Sequence, residues 1–138
     1  MLEVTESLLM ADRERAVGVL TRLRDAGVGV AIDDYGTGHS SLAYLAALPV
    51  TELKLDRTFT AALTGSARAA SIVTSTLQLA HALGLVLVAE GAEDQATVDA
   101  LSQLGCDVVQ GYHLSRPLPA EALWSWLDDR VLTPSSAG

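Results

Sequence analysis

Short apolar runs alternate with amphipathic segments along the whole chain, and this alternation constrains the fold more than any other feature. The apolar runs predict five strands, over residues 2–4, 28–32, 52–55, 85–89 and 106–109. Helical periodicity predicts helices over residues 12–26, 71–83 and 96–104, and a last helix that opens at Pro119. Strands without polar alternation, each followed by a helical segment, predict a parallel sheet covered by helices, which is an α/β fold.

Two architectures satisfy this pattern. A doubly wound five-stranded sheet suits a chain of 138 residues. A (β/α)8 barrel typically needs about 250 residues, so a chain of this length would form part of one. Length alone favours the doubly wound sheet.

The positions of the polar side chains favour the barrel instead. Each predicted strand ends in a group that could take part in chemistry, and in a parallel barrel these ends meet at one mouth. For any single one of these polar groups, a role as a helix N-cap is the alternative. Polar groups at five strand ends in succession are harder to explain in this way. A phospho-acceptor receiver domain has its nucleophilic Asp on a strand between the acid pair and the lysine. Here Lys54 lies on the strand directly after Asp33 and Asp34, so this type of domain is excluded. The polar residues at the five strand ends are Glu3 and Glu6, Asp33 and Asp34, Lys54 and Asp56, Glu90 and Glu93, and Gln110.

Asp33 and Asp34 are adjacent, and each carboxylate opposes ionisation of the other. A cation between them would remove this cost, so the pair suggests a metal site.

Composition excludes several classes of protein. Hydrophobic residues make up 49% of the chain, which predicts a folded domain, and the net charge of −8 argues against binding a nucleic acid polymer. The longest apolar run is too short to insert into a membrane. The single cysteine, Cys106, allows no internal disulfide, and we expect a cytoplasmic protein with Cys106 in its core.

The motifs along the chain resemble those of the EAL domain, the cyclic di-GMP phosphodiesterase domain of bacterial signalling proteins. The similarity runs in order through five segments, and the combination is specific. The segments are LEVTES (2–7), IDDYGTGHSSL (32–42), LKLDRTF (53–59), VAEGAED (88–94) and GCDVVQGYHLSRPLP (105–119).

This resemblance implies a TIM-like barrel that hydrolyses one phosphodiester of cyclic di-GMP to linear pGpG with two Mg²⁺ or Mn²⁺ ions. Glu3 and Asp33 would bind the first ion and Asp34 the second. Glu90 would be the general base that takes a proton from the attacking water, and Lys54 would hold that water or a phosphate oxygen.

The resemblance assigns supporting roles to further residues. Gln110 would assist at the nucleophile, while Glu6 and Glu93 would steady the loop after Asp34 and the metal ligands; a helix-start acid is the alternative for Glu6. Gly36 and Gly38 would let this loop bend. The candidates for substrate contact are Asp56 and Arg57.

The motif that names the family is not found where it should be, near the start. Residues 121–123 spell Glu-Ala-Leu, but they follow the last motif and are a coincidence. We therefore expect a partial barrel that lacks the first strands of the family fold, with the truncated domain over residues 1–131 and a disordered tail over 132–138. The chain is then either the C-terminal part of a phosphodiesterase, weak or inactive alone, or a non-catalytic module that binds cyclic di-GMP or a protein.

A partial barrel would have two open strand edges, and unpaired edges recruit other strands. We expect a homodimer, or a complex with a complementing N-terminal segment. We also expect unpartnered apolar side chains on the barrel-facing side of the sheet, namely Val28, Ile32, Leu53, Leu55, Val86 and Val88.

Overall fold

The computed structural model describes residues 1–36 and 41–131 as a single parallel sheet with helices between its strands. The elements are, in chain order, β1 (Leu2–Thr5), α1 (Glu6–Ala11), α2 (Arg13–Asp25), β2 (Val30–Tyr35), α3 (Leu42–Ala47), β3 (Glu52–Leu55), α4 (Arg57–Ala61), α5 (Ala67–Ala82), β4 (Val86–Glu90), α6 (Gln95–Leu104), β5 (Val108–Gln110) and α7 (Ala120–Val131).

The five strands lie side by side in the order in which they occur along the chain. Every neighbouring pair is parallel, and the order β1-β2-β3-β4-β5 never reverses. A doubly wound sheet reverses its strand order at the centre, whereas a barrel adds each new strand beside the last. The prediction of five strands from a partial (β/α) barrel is therefore confirmed.

One face of the sheet packs against the helices and forms the core. In-register residues of neighbouring strands point to the same face, and Ile32, Leu53 and Leu87 are paired in this way. These three side chains and Leu55 are at most 1% exposed, within a cluster that includes Leu20 of α2 and Val73 of α5.

The opposite side of the sheet, which we call the open face, carries Glu3, Lys54 and Glu90. The expectation that Ile32, Leu53 and Leu55 lack partners is wrong, because side-chain alternation puts them on the helix-covered face. Val86 belongs to the open face and is 38% exposed, as expected, whereas the expectation is wrong for Val88, which lies on the same face and is 5% exposed.

Local capping explains where the long helices begin and end. Asp12 accepts a hydrogen bond from the Arg15 amide at the start of α2. Ser66 accepts one from Ala69, so α5 begins four residues before the predicted start at residue 71. Gly105 ends α6 in the left-handed conformation.

The short helices α1, α3 and α4 were not predicted, because each has only five or six residues and gives little periodicity. No helix among the described residues is long and apolar enough to cross a membrane. The predicted tail over residues 132–138 lies outside the described residues.

Truncation of two adjacent β4 residues tests which face is the core. Leu87→Ala leaves a cavity under the helices and should lower the free energy of unfolding by about 2–5 kcal/mol. Val86→Ala, the control on the open face, should cost less than about 1 kcal/mol. Urea unfolding measures both, and equal losses would contradict the assignment of the two faces.

Candidate functional site

Strand β2 is irregular at the two adjacent aspartates. Its pairing with β3 shifts register between Ile32 and Tyr35. Asp34 has a φ of 55°, and no other non-glycine residue within 1–36 and 41–131 has a positive φ. Such left-handed conformations are costly for side-chain-bearing residues and cluster at functional sites.

This bulge explains how two neighbouring carboxylates reach one site. In a regular strand Asp33 and Asp34 would point to opposite faces of the sheet. Here one oxygen from each lies with an oxygen of Glu90 in a group whose members are all within 4.8 Å of one another. The structure thus places the end of β4 beside the bulge of β2.

Lys54 is the cation of this cluster, and it is almost completely buried on the open face. Its side chain is 7% exposed, and its Nζ lies 2.8 Å from Glu90, 2.9 Å from Glu3 and 3.2 Å from Asp33. These ion pairs join four strands, β1 to β4, around one ammonium group.

The ion pairs also fix the protonation of Lys54. Burial alone would lower its pKa, but the hydrogen bonds to Glu90 and Glu3 and the nearby carboxylate of Asp33 outweigh burial and hold the pKa above the ordinary lysine value. A raised lysine pKa stabilises the fold at all pH values below the unfolded pKa, and that stability is lost only as pH rises through the folded value. Lys54 is therefore an ammonium throughout the neutral range.

The donor set fits a divalent cation. Carboxylate oxygens are the ligands that Mg²⁺ and Mn²⁺ prefer, and Asp33, Asp34 and Glu90 supply three that converge. The Oδ1 atom of Asp33 is buried within ion-pair distance of Lys54, yet it accepts no hydrogen bond of good geometry. Such an oxygen can still coordinate a metal ion.

The structure places the predicted metal ligands in two different surroundings. Asp33 and Asp34 share the carboxylate cluster, whereas Glu3 is not a member of it and contacts Lys54 with its side chain 53% exposed. Glu90, predicted as the base, lies within the same cluster, and its position also suits a third ligand. The assigned roles of these four residues stay predictions.

Gln110 and Glu93 line a second part of the site. Gln110 ends β5 in register with Glu90, and both side chains border a cavity of about 220 Å³ together with Glu93 and Arg57. This cavity opens beside the carboxylate cluster, which would suit a substrate-binding role for Arg57.

Other predicted residues have structural surroundings. Glu6 is 4% exposed in the first turn of α1. Burial is the main cause that raises the pKa of Tyr35, and the charge of the Glu6 carboxylate raises this pKa further. Asp56 caps α4 by accepting from the Thr58 amide at 2.9 Å. Gly36 has a φ of +102°, and a Cβ there would come within 2.8 Å of the Phe59 ring. Gly38 lies outside the described residues.

Two glycines that were not assigned a role hold the loops of the site together. A Cβ at Gly111 would lie 2.1 Å from the Ala92 carbonyl oxygen, and a Cβ at Gly91 would lie 2.5 Å from the Arg57 Cβ. The Ala92 amide donates to the Gln110 carbonyl at 3.1 Å. This close approach fixes Glu90 and Gln110 relative to each other. The sequence feature that could have indicated this packing is that Gly91 directly follows Glu90 and Gly111 directly follows Gln110.

Comparison with known proteins identifies a matching protein family and individual relatives. The family model described as "EAL domain" matches residues 1–117. The bifunctional diguanylate cyclase/cyclic di-GMP phosphodiesterase MucR of Pseudomonas aeruginosa is 47% identical over 123 residues, which cover 89% of this chain and 18% of MucR. The cyclic di-GMP phosphodiesterase PA2567 of the same organism is 44% identical, and the matched segment covers 91% of this chain and 22% of that protein.

Solved structures agree with this result. The PaMucR phosphodiesterase in its c-di-GMP complex is 48% identical with a TM-score of 0.84, covering 88% of this chain and 49% of that chain. A manganese/cy-diGMP complex of Klebsiella pneumoniae BlrP1 is 34% identical with a TM-score of 0.77, covering 83% and 29%. The chain thus spans about a fifth of the curated relatives named here, and about half of the PaMucR structure.

Replacement of Lys54 tests the charge balance of the cluster. Lys54→Met leaves Glu3, Asp33 and Glu90 without their cation, so we expect a loss of about 1–3 kcal/mol in the free energy of unfolding in EDTA. Because Mn²⁺ can replace the missing charge, the difference in the free energy of unfolding between the variant and the wild type should be smaller in millimolar Mn²⁺. Denaturant unfolding in both buffers measures this.

The control is Arg68→Met, which removes a charge from an exposed position of α5. It should change stability little in either buffer. A Lys54→Met variant as stable as the wild type, or one that Mn²⁺ leaves unchanged, would contradict the proposed charge balance.

Proposed function

Because the chain belongs to the EAL domain family, we propose that it takes part in the hydrolysis of cyclic di-GMP, opening one 3′–5′ phosphodiester to give linear pGpG. The observation that carries this proposal is the carboxylate cluster of Asp33, Asp34 and Glu90 beside the buried Lys54 ammonium. The cluster lies at the C-terminal ends of parallel strands, where barrel enzymes carry their active sites.

In this proposal Glu3, Asp33 and Asp34 would hold two Mg²⁺ or Mn²⁺ ions. When bound, such ions neutralise charge on the phosphate and make water a better nucleophile. The Mn²⁺ complex of the BlrP1 relative supports this choice of metal.

The side chains of this chain perform the proton and charge chemistry. Glu90 accepts the proton of the attacking water, and the Lys54 ammonium lies 2.8 Å from its carboxylate. Lys54 also provides positive charge for the phosphate oxygen as negative charge develops in the transition state. Gln110, in register with Glu90, orients the water through its side-chain amide.

The proposal assigns only part of a complete site to these residues. Since the chain covers 49% of the PaMucR phosphodiesterase structure, that relative contains as much fold again. We therefore propose that full activity needs a homodimer or a complementing N-terminal segment. The bacterial relatives and the single cysteine favour the bacterial cytoplasm as its location.

A non-catalytic module that binds cyclic di-GMP is the second candidate. It is favoured by the same coverage, because a chain with half of the fold can keep ligand contacts without completing the catalytic set. Turnover distinguishes the two candidates.

The purified chain should hydrolyse cyclic di-GMP in Mn²⁺ slowly, below about one turnover per second, a typical low enzyme value. Chromatography of pGpG measures this rate. Glu90→Gln and Asp34→Asn should each reduce the rate at least about 100-fold, since they remove the base and a ligand. Asp99→Asn, an exposed carboxylate of α6, is the control and should keep the rate.

Binding of cyclic di-GMP without any pGpG would instead support the non-catalytic module. Turnover that survives Asp34→Asn or EDTA would contradict the metal-dependent proposal.

A further inference from the structure

A second charged contact lies at the opposite end of β4 and β5 from the candidate site. His81 is in the last turn of α5, and its Nε2 lies 3.1 Å and 3.0 Å from the two carboxylate oxygens of Asp107. Asp107 directly precedes β5, and one of its oxygens also accepts a hydrogen bond from the Leu87 amide at 2.8 Å. Asp107 therefore links α5, β4 and β5 at the end of the strands far from Glu90 and Gln110.

The hydrogen bond to Leu87 lengthens a short strand ladder. Strands β4 and β5 pair at only three positions, from Val88 with Val108 to Glu90 with Gln110. The next β4 residue towards the start is Leu87, and its amide bonds the Asp107 carboxylate. A side chain thus supplies a bond of the kind that main-chain carbonyl groups supply elsewhere in a ladder. This bond ties Asp107 to one particular residue of β4.

Burial of apolar side chains does not determine the register of β5. A slip by one residue moves every side chain of a strand to the other face, so register usually follows from which side chains must be buried. Strand β5 begins with two valines, Val108 on the open face and Val109 on the helix-covered face. If Val108 moved opposite Ala89, each face would still receive one valine. The apolar pattern therefore permits both registers, and another interaction has to select one.

The register decides where the Gln110 side chain lies. In the observed register Gln110 is opposite Glu90, and both residues border the cavity of about 220 Å³. A slip by one residue would turn Gln110 towards the helix-covered face and away from that cavity. The contact that holds Asp107 beside Leu87 therefore also bears on the distance between Gln110 and Glu90.

The surroundings of Asp107 favour its ionised form. The hydrogen bond from the Leu87 amide is the main cause that holds the pKa of Asp107 below the ordinary value; burial opposes it, and His81 lowers the pKa further. A lowered carboxyl pKa adds stability above the unfolded pKa, and this stability is lost as pH falls through the folded value. Asp107 is therefore a carboxylate throughout the neutral range, with both oxygens able to accept.

We propose that Asp107 and His81 are positioning residues that set the register of β5 on β4 and thereby keep Gln110 beside Glu90. Both act from the far end of the strands, through Gln110 and not on the substrate. The proposal deepens the proposed function and rests on it only for the part that Gln110 plays in the reaction.

An amide near the site gives a readout far from both positioning residues. The Ala92 amide donates to the Gln110 carbonyl at 3.1 Å, and a slip of β5 would break this bond. Gly111 also packs on Ala92 at this end of β5, so the structure offers two alternatives. Either the Gly111 contact holds the register by itself, or the contact at Asp107 is needed as well.

Hydrogen exchange of the metal-free chain, followed by NMR, distinguishes these alternatives. Asp107→Ala removes the acceptor of the Leu87 amide. The Leu87 and Ala92 amides should then exchange at least about 10-fold faster relative to the Leu53 amide of β3, because losing one hydrogen bond shifts a local opening equilibrium by about this factor. The Leu53 amide corrects for a change in global stability.

Rescue by a conservative variant is the second part of the test. Asp107→Asn keeps an acceptor oxygen for the Leu87 amide, so it should restore most of the protection at Ala92. Asp128→Ala, an exposed aspartate of α7, is the matched control and should leave both amides unchanged. His81→Ala keeps the bond to Leu87 but frees the carboxylate, and should speed exchange of the same amides about 3-fold. It serves as the test if circular dichroism shows that Asp107→Ala does not fold.

Turnover connects the register with the proposed reaction. In Mn²⁺, Asp107→Ala should form pGpG at least about 10-fold more slowly than the wild type, and Asp107→Asn should recover the rate, because Gln110 loses and regains its position. The affinity for Mn²⁺ should not change, since the carboxylate cluster lies on β2 and β4. The exchange measurements need neither metal nor turnover, so a wild type without activity would contradict the proposed function while the register is still tested.

Three results would overturn the proposal. The first is faster exchange at Leu87 alone, with Ala92 as protected as in the wild type, because Asp107 would then have only a local role. The second is an Asp107→Asn variant that exchanges at Ala92 as fast as Asp107→Ala. The third is an active wild type whose rate Asp107→Ala leaves unchanged.

Discussion

The buried ammonium group of Lys54 is the interaction on which the site depends. Without it, strands β1, β2 and β4 would bring Glu3, Asp33 and Glu90 together at a large electrostatic cost. With it, four strands share one cation, and the three carboxylates can lie close together. Asp33 and Glu90, which contact Lys54, also converge with Asp34 in the group of carboxylates that suits a divalent ion. Folding and metal binding therefore use the same carboxylates.

Much of this arrangement could be predicted from the sequence, because it follows from periodicity. Five apolar runs alternating with helical segments indicate a parallel sheet, and polar residues at the strand ends indicate a common edge. Asp12 was recognisable as a helix cap because its role depends only on local geometry.

The bulge at Asp33 and Asp34 could not be predicted in this way. Strand periodicity gives alternating faces, and alternation would separate the two carboxylates. The left-handed conformation of Asp34 is a local cost that the surrounding sheet imposes. The same limitation explains the wrong faces assigned to Ile32, Leu53 and Leu55, since fully apolar strands carry no signal for which side the helices cover. The close packing of Gly111 on Ala92 likewise depends on two loops distant in sequence.

The position of a bound metal ion tests the central claim most directly. A crystal structure of the chain with Mn²⁺, with anomalous diffraction recorded, would locate the ion independently of the protein atoms. The account predicts a peak coordinated by oxygens of Asp33 and Asp34, with Asp34 in the left-handed conformation and the Lys54 ammonium beside it. A regular β2 strand with the Asp34 carboxylate on the helix-covered face, or an ion bound away from both aspartates, would contradict it.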